Sequence, residues 1–191
     1  MASLVSWQIP SSQAERLKQK SICSGDLLGI SVEMMTAAVQ INAATAEDAP
    51  LVASILRTAF AEYENLYTPE AFAATVLNEE LVRRRLGEGP TWLAFHDRRT
   101  VGTVSAVLKE NELYVRGMAV IPSARGLGAG ARLLAHVCDV AVAARAHRVF
   151  LSTTPFLASA IRLYRAFGFV RIEDGPDHLC GTPLFTMEKR L

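Results

Sequence analysis

Cysteine is scarce in this chain and forms no pattern. Cys23, Cys138 and Cys180 are widely spaced, odd in number and without metal-ligand spacing. This excludes a disulfide framework and fits free thiols in a reducing compartment. Paired histidines are lacking too. His96, His136, His147 and His178 show no shared spacing, so no metal site is expected. Charge of one sign is also missing. The formal net charge is +1, which removes any general attraction to nucleic acid or an anionic membrane. Only a local basic patch at a phosphate site stays open. Long hydrophobic runs are absent. The most apolar stretch, Leu27 to Ile41, is broken by Glu33 and is too short to span a bilayer. Met1 to Lys20 has no apolar core of the secretory kind. The expectation is a cytoplasmic protein with no nucleic-acid or membrane partner.

What remains is an ordinary globular composition. The chain has 191 residues, of which 50% are hydrophobic and 20% charged, enough for one domain with a real core. Residues 1–36 are poorly patterned and Ser-rich, and are expected to form a disordered N-terminal extension. The domain is expected over 37–191. Val39-Gln40-Ile41 alternates as a short strand. Thr45 to Asp48 matches a capping box, and Leu51, Val52, Ile55, Leu56, Ala59 and Phe60 follow at helical spacing. Thr68-Pro69-Glu70 starts a second helix, expected to run to about Leu86. Three strands come next, at 91–95, 101–108 and 112–120, and their short turns imply an antiparallel meander. A helix over about 128–146, a strand at 148–153 and a helix ending at Gly168 follow. Two strands near 169–173 and 184–189 close the chain. The order is β-α-α-β-β-β-α-β-α-β-β.

Between the third meander strand and the long helix lies Arg125-Gly126-Leu127-Gly128-Ala129-Gly130. Amides at a helix N-terminus lack internal partners and the helix dipole favours negative charge there. Glycines admit positive φ and close approach of a ligand. Arg125 adds a fork of donors suited to phosphate. A P-loop would need Gly-Lys-Ser/Thr, and Ala131-Arg132 follows Gly130 instead. Gly126-x-Gly128-x-x-Ala131 does satisfy a dinucleotide fingerprint. However, the next strand ends in Ser152-Thr153-Thr154 rather than in a ribose-binding acid, and too little chain remains for a doubly wound sheet. A tight turn without a ligand stays open on the loop alone.

The surroundings of the loop carry a resemblance. Arg125-x-x-Gly128-x-Gly130 resembles the R/Q-x-x-G-x-G/A motif of the GCN5-related N-acetyltransferases. Ala160 to Phe169 resembles their A-x-x-L-Y-x-x-x-G-F signature, with Tyr164 at its tyrosine. Met118 to Pro122 resembles the end of their fourth strand, and Val39 to Asp48 their opening strand and first helix. The resemblance spans about 38–191. It implies an α/β (α+β) fold: a mixed, mostly antiparallel sheet of six to seven strands, flanked by about four helices and splayed at strands 4 and 5.

The resemblance also implies a chemistry, direct transfer of acetyl from acetyl-CoA to the primary amine of a small molecule or peptide. The alternative is a catalytically silent acyl-CoA-binding sensor or scaffold of the same fold. The pyrophosphate would sit on Arg125, Gly126, Leu127, Gly128, Ala129, Gly130 and Ala131. The pantetheine arm would pair with the strand edge at Met118, Ala119 and Val120, and an amide near Met118 or Ala119 would polarise the thioester carbonyl. Tyr164 is the candidate acid for the leaving sulfur, against a packing role on a helix face it shares with Leu157, Ala160 and Ile161. Glu112, at the start of the fourth strand, is the candidate base, against a solvated carboxylate at a strand end. One departure stands out. Leu157 occupies a position where many members carry an Asn that contacts the pantetheine arm, and Thr153-Thr154-Pro155 would have to supply hydroxyls instead. The acceptor is expected between about 60–68 and 175–183, where Glu62, Tyr63, Glu64 and Tyr67 would attract a cationic amine unless they are only solvated helix-end residues. A monomer or homodimer is expected.

Overall fold

The computed structural model describes residues 38–191; the expected extension over 1–36, with Cys23, lies outside them. Alternation of apolar residues builds a seven-stranded sheet. Its strands are β1 (Gln40–Ala43), β2 (Thr91–His96), β3 (Arg99–Lys109), β4 (Glu112–Val120), β5 (Arg148–Thr153), β6 (Val170–Ile172) and β9 (Phe185–Arg190). The order across the sheet is β1-β2-β3-β4-β5-β9-β6, and only β4 and β5 are parallel. A small hairpin, β7 (His178–Leu179) and β8 (Thr182–Pro183), stands apart.

The meander turns form because their residues accept positive φ. Asp97 and Arg98 sit at φ 49° and 63°, and Glu110 and Asn111 at 53° and 114°. On β2 the side chains alternate between two cores. Trp92 and Ala94 face one, Leu93 the other. The first core is closed by α4 (Ala129–Ala143), through Leu133, Leu134, Val137 and Ala141. The second is closed by α1 (Ala49–Phe60) with α2 (Pro69–Thr75) and α3 (Glu79–Glu88). α5 (Ala158–Ala166) ends at Gly168, where φ is 85°.

Two expectations need correction. The helix expected from Thr68 to Leu86 is two helices. Val76 leaves helical geometry at φ −97°, ψ 79°, and Val76 and Leu77 turn inward to the α1 core. Asn78 then caps α3, its Oδ1 accepting from the Leu81 amide at 2.9 Å. The stretch over 175–183, where no strand is expected, holds the β7–β8 hairpin. Its turn uses Cys180 and Gly181 at φ 45° and 86°. Thr68, at the start of α2, ties it down: its amide donates to Thr182 Oγ1 at 2.9 Å and its hydroxyl to the Cys180 carbonyl at 2.8 Å.

The feature that positions the site is a bulge in β4. Ser105 of β3 pairs with Arg116, and Thr103 pairs with Ala119, so two residues, Gly117 and Met118, oppose one. Gly117 takes φ 59°, a value that suits glycine. Before the bulge Leu113 and Val115 face the α4 core. After it Met118 and Val120 do, while Ala119 faces α1. One extra residue exchanges the faces. The bulge also bends β4 off β5, whose pairing stops at Val115 and Leu151. From Arg116 onward the β5-side edge of β4 is unpaired.

Candidate active site at the strand splay

The splay opens onto a cleft of about 460 Å³. Met118, Ala119 and Val120 of β4 form one wall, the start of α4 its floor, and Leu157, Ser159, Ala160, Leu163 and Tyr164 the opposite wall. Gly126 and Gly128 take φ 83° and 80°, and a Cβ at either would meet nothing within 4 Å. Their requirement is therefore conformational. Gly130 differs: a Cβ there would come within 3.2 Å of Leu163 Cδ2, so it keeps α4 and α5 close. The first bond entering α4 runs from the Arg132 amide to the Gly128 carbonyl at 3.0 Å. The amides of Ala129, Gly130 and Ala131 have no acceptor within the helix, and all three residues line the cleft. An anionic group suits that floor.

Arg125 lines the cleft too, with its guanidinium paired to Glu62 and lying 6.0 Å from the Tyr63 ring centre. The Arg125 hydrogen bond holds the Glu62 carboxyl below its ordinary range. Glu62 is thus committed to the loop arginine rather than presented to an amine. Leu127 is exposed and is not part of the lining.

A second cavity of about 370 Å³ lies beyond. Its walls come from α2 and α3, from 114–118 of β4, from 151–154 at the end of β5, and from the β7–β8 hairpin. The two cavities share Phe60, Met118, Leu157 and Tyr164. Tyr164 is buried at 7% exposure. Its hydroxyl donates a long contact of 3.9 Å to Met118 Sδ, and burial pushes its pKa up to about 12. It holds its proton throughout the physiological range. Thr153 and Thr154 line the second cavity, not the first.

The structure does not bring Glu112 to this junction. Glu112 stands where β4 and β5 are still paired, opposite Arg148. Its carboxylate is 2.8 Å from Arg148 Nε and 3.2 Å from His147 Nε2. Arg148 also binds Glu188 of β9, at 2.8 Å. Hydrogen bonding to Arg148 lowers the pKa of both carboxyls. Neither lines either cavity. A carboxylate so held is a brace across three strands, poorly placed to take a proton from an amine. Three residues of the second cavity escaped the sequence reading: Arg85, Arg116 and Gly117. Gly117, a lone glycine in a strand, was the legible signal, since such glycines mark bulges. Arg85 sits in the run Arg83-Arg84-Arg85, and nothing in that run marks one arginine as inward.

The splayed sheet and its glycine-floored cleft define a class of fold, and comparison with known proteins makes it specific. The model of the acetyltransferase (GNAT) family matches residues 52–169. The chain belongs to that family. No curated protein sequence matches it. Among solved structures it is similar to a GNAT-family acetyltransferase of Staphylococcus aureus Mu50, at 20% identity and TM-score 0.66, covering 80% of this chain and 99% of that one. It is similar to the ribosomal-protein-S18-alanine N-acetyltransferase of Escherichia coli, at 18% identity and TM-score 0.64, covering 80% and 93%. It is also similar to the PaiA N-acetyltransferase of Thermoplasma acidophilum, solved in complex with coenzyme A, at 18% identity and TM-score 0.66, covering 81% and 99%. These likenesses concern the fold. Among the described residues no helix is long and apolar enough to cross a membrane, and no group of three or more His, Cys, Asp or Glu is placed to hold a metal ion.

Proposed function

We propose that this acetyltransferase moves acetyl from acetyl-CoA to a primary amine by direct attack. The observation that carries the reading is the meeting of two cavities at Met118 and Tyr164. The first cavity takes the donor. Its pyrophosphate sits on the amides of Ala129 to Ala131 with Arg125 beside it, and its pantetheine arm runs along the unpaired edge at Met118 to Val120. The second takes the acceptor, so that amine and thioester face each other at the junction.

There the amine nitrogen attacks the carbonyl carbon and the π electrons move to oxygen, where a β4 amide at Met118 or Ala119 stabilises the charge. As they return, the carbon–sulfur bond breaks and the thiolate departs. Tyr164 donates a hydrogen bond to that sulfur. Burial raises the pKa of Tyr164, so its hydroxyl carries the proton that stabilises the thiolate as it forms. The proton on the amine leaves to solvent. Among the described residues no carboxylate lines the second cavity, and Glu112 has no part in the step.

The test is thiol release from acetyl-CoA with a panel of amines, followed alongside CoA binding. Tyr164→Phe is expected to lower kcat about ten- to a hundredfold, the effect of one hydrogen bond to a charged group, with CoA affinity unchanged. Binding of CoA without transfer to any amine would make the chain a sensor or scaffold instead.

A further inference from the structure

The second cavity is cationic on one side. Arg85 reaches it from α3 and Arg116 from β4, with no Asp or Glu in its lining among the described residues. The two arginines differ. Arg116 is compensated, its Nη2 lying 2.5 Å from Glu88 Oε2, although its Nε is buried without a hydrogen-bond partner among the described residues. Arg85 makes no side-chain hydrogen bond among them. Burial and then the nearby Arg116 hold its pKa down to about 10. Glu88 lies near enough to act on its charge but makes no hydrogen bond to it, so this half-buried guanidinium keeps its donors free for a second anion.

Gly117 fixes where that cation lies. A Cβ at this position would come within 2.8 Å of Arg85 Nη1, so the guanidinium rests against the β4 backbone at the bulge. The next residue is Met118, at the junction of the two cavities. Arg85, Met118 and Tyr164 all line this one cavity, so a small ligand held on Arg85 lies in the same space as the place where acyl transfer would occur.

The geometry points to an acceptor whose amine carries a neighbouring carboxylate, as free amino acids do, with the carboxylate on Arg85 and the amine at Met118 and Tyr164. The assignment rests on the acyl-transfer reading above. A carboxylate offers two acceptors to the guanidinium fork. The same charges repel polycations such as polyamines and aminoglycosides. They also favour the neutral form of a bound amine, the form that attacks. A peptide N-terminus presents an amide where this site calls for a carboxylate.

Binding and turnover test it separately. Calorimetry in the presence of CoA compares N-acetyl-alanine, N-acetyl-leucine, N-acetyl-methionine and N-acetyl-phenylalanine with their carboxamides. Acids are expected to bind at least about tenfold more tightly than amides, the effect of a charge-assisted bond. Arg85→Met should abolish the difference and Arg85→Lys keep part of it, with CoA affinity equal in all three proteins as the check on folding. In acetyl-CoA assays the free amino acids should exceed their amides by a similar factor in kcat/KM, with spermidine inert. Amides that bind as well as acids, absence of binding by any acid, or a preference that survives Arg85→Met would overturn the assignment. Spermidine or amides acetylated as fast as the acids would overturn it too, leaving acyl transfer intact. Acid-selective binding lost in Arg85→Met, with no transfer to any amine, would uphold the carboxylate site and remove the transferase reading.

Discussion

Arg125 is in contact with two kinds of chemistry at once. It lines the first cleft, yet its guanidinium is held by Glu62. Both side chains are about 40% exposed, at 40% and 44%, so the pair contributes little to stability. Its consequence is for ligand binding, because a pyrophosphate on Arg125 would share the guanidinium with a carboxylate. Glu62→Gln is expected to tighten CoA binding about two- to fivefold by calorimetry, in keeping with the small worth of exposed pairs. Weaker binding would mean that Glu62 orients the arginine rather than competing for it. The residue types at the loop were legible in the sequence, since Arg125 and the glycines are named by their chemistry. The pairing with Glu62 was not, because 63 positions separate the two residues.

At the scale of elements, the informative departure is the break between α2 and α3. The sequence Val76-Leu77-Asn78-Glu79-Glu80 holds a capping asparagine followed by two acids, a helix start that the surrounding helical composition masked. The break turns α3 so that Val82 is buried against α1 and Arg85 reaches the second cavity. Asn78→Ala should cost about 1 kcal/mol, the usual worth of an N-cap, read as a shift of the urea midpoint with unchanged slope. A cost near zero would mean that burial of Val76 and Leu77 alone sets the break. The meander strands and the two long helices were readable because each has a local period and local turn chemistry. The β7–β8 hairpin was not, because it has two residues per strand and is held by Thr68 across the fold.

On the scale of the whole molecule, the Arg148 cluster ties β4, β5 and β9 together through Glu112 and Glu188. Both carboxyls have folded pKa values below the ordinary 4.5. The sign follows from linkage. A depressed folded pKa means that the unfolded chain binds more protons near pH 4, so the stability these groups supply is present above about 4.5 and lost as pH falls through the folded values. The melting temperature should therefore decline below about pH 4.5. Arg148→Met should lower it at neutral pH, where Glu188, buried at 5% exposure, keeps only Arg190, and should flatten that acid decline. An equally steep decline in the variant would place the responsible groups elsewhere.

The sequence by itself determined the three-strand meander, the helices α1, α4 and α5, the glycine loop from Arg125 to Ala131 and the tyrosine on α5. Each of these is written locally, in a hydrophobic period, a run of glycines or a helix stop. Only the tertiary structure decided that Glu112 braces strands instead of meeting the amine, that Glu62 holds Arg125, and that Arg85 and Arg116 share a cavity with Tyr164. The last of these depends on the bulge at Gly117. One extra residue exchanges the faces of β4 and opens its edge, and the side chains gathered there come from segments that no local pattern connects.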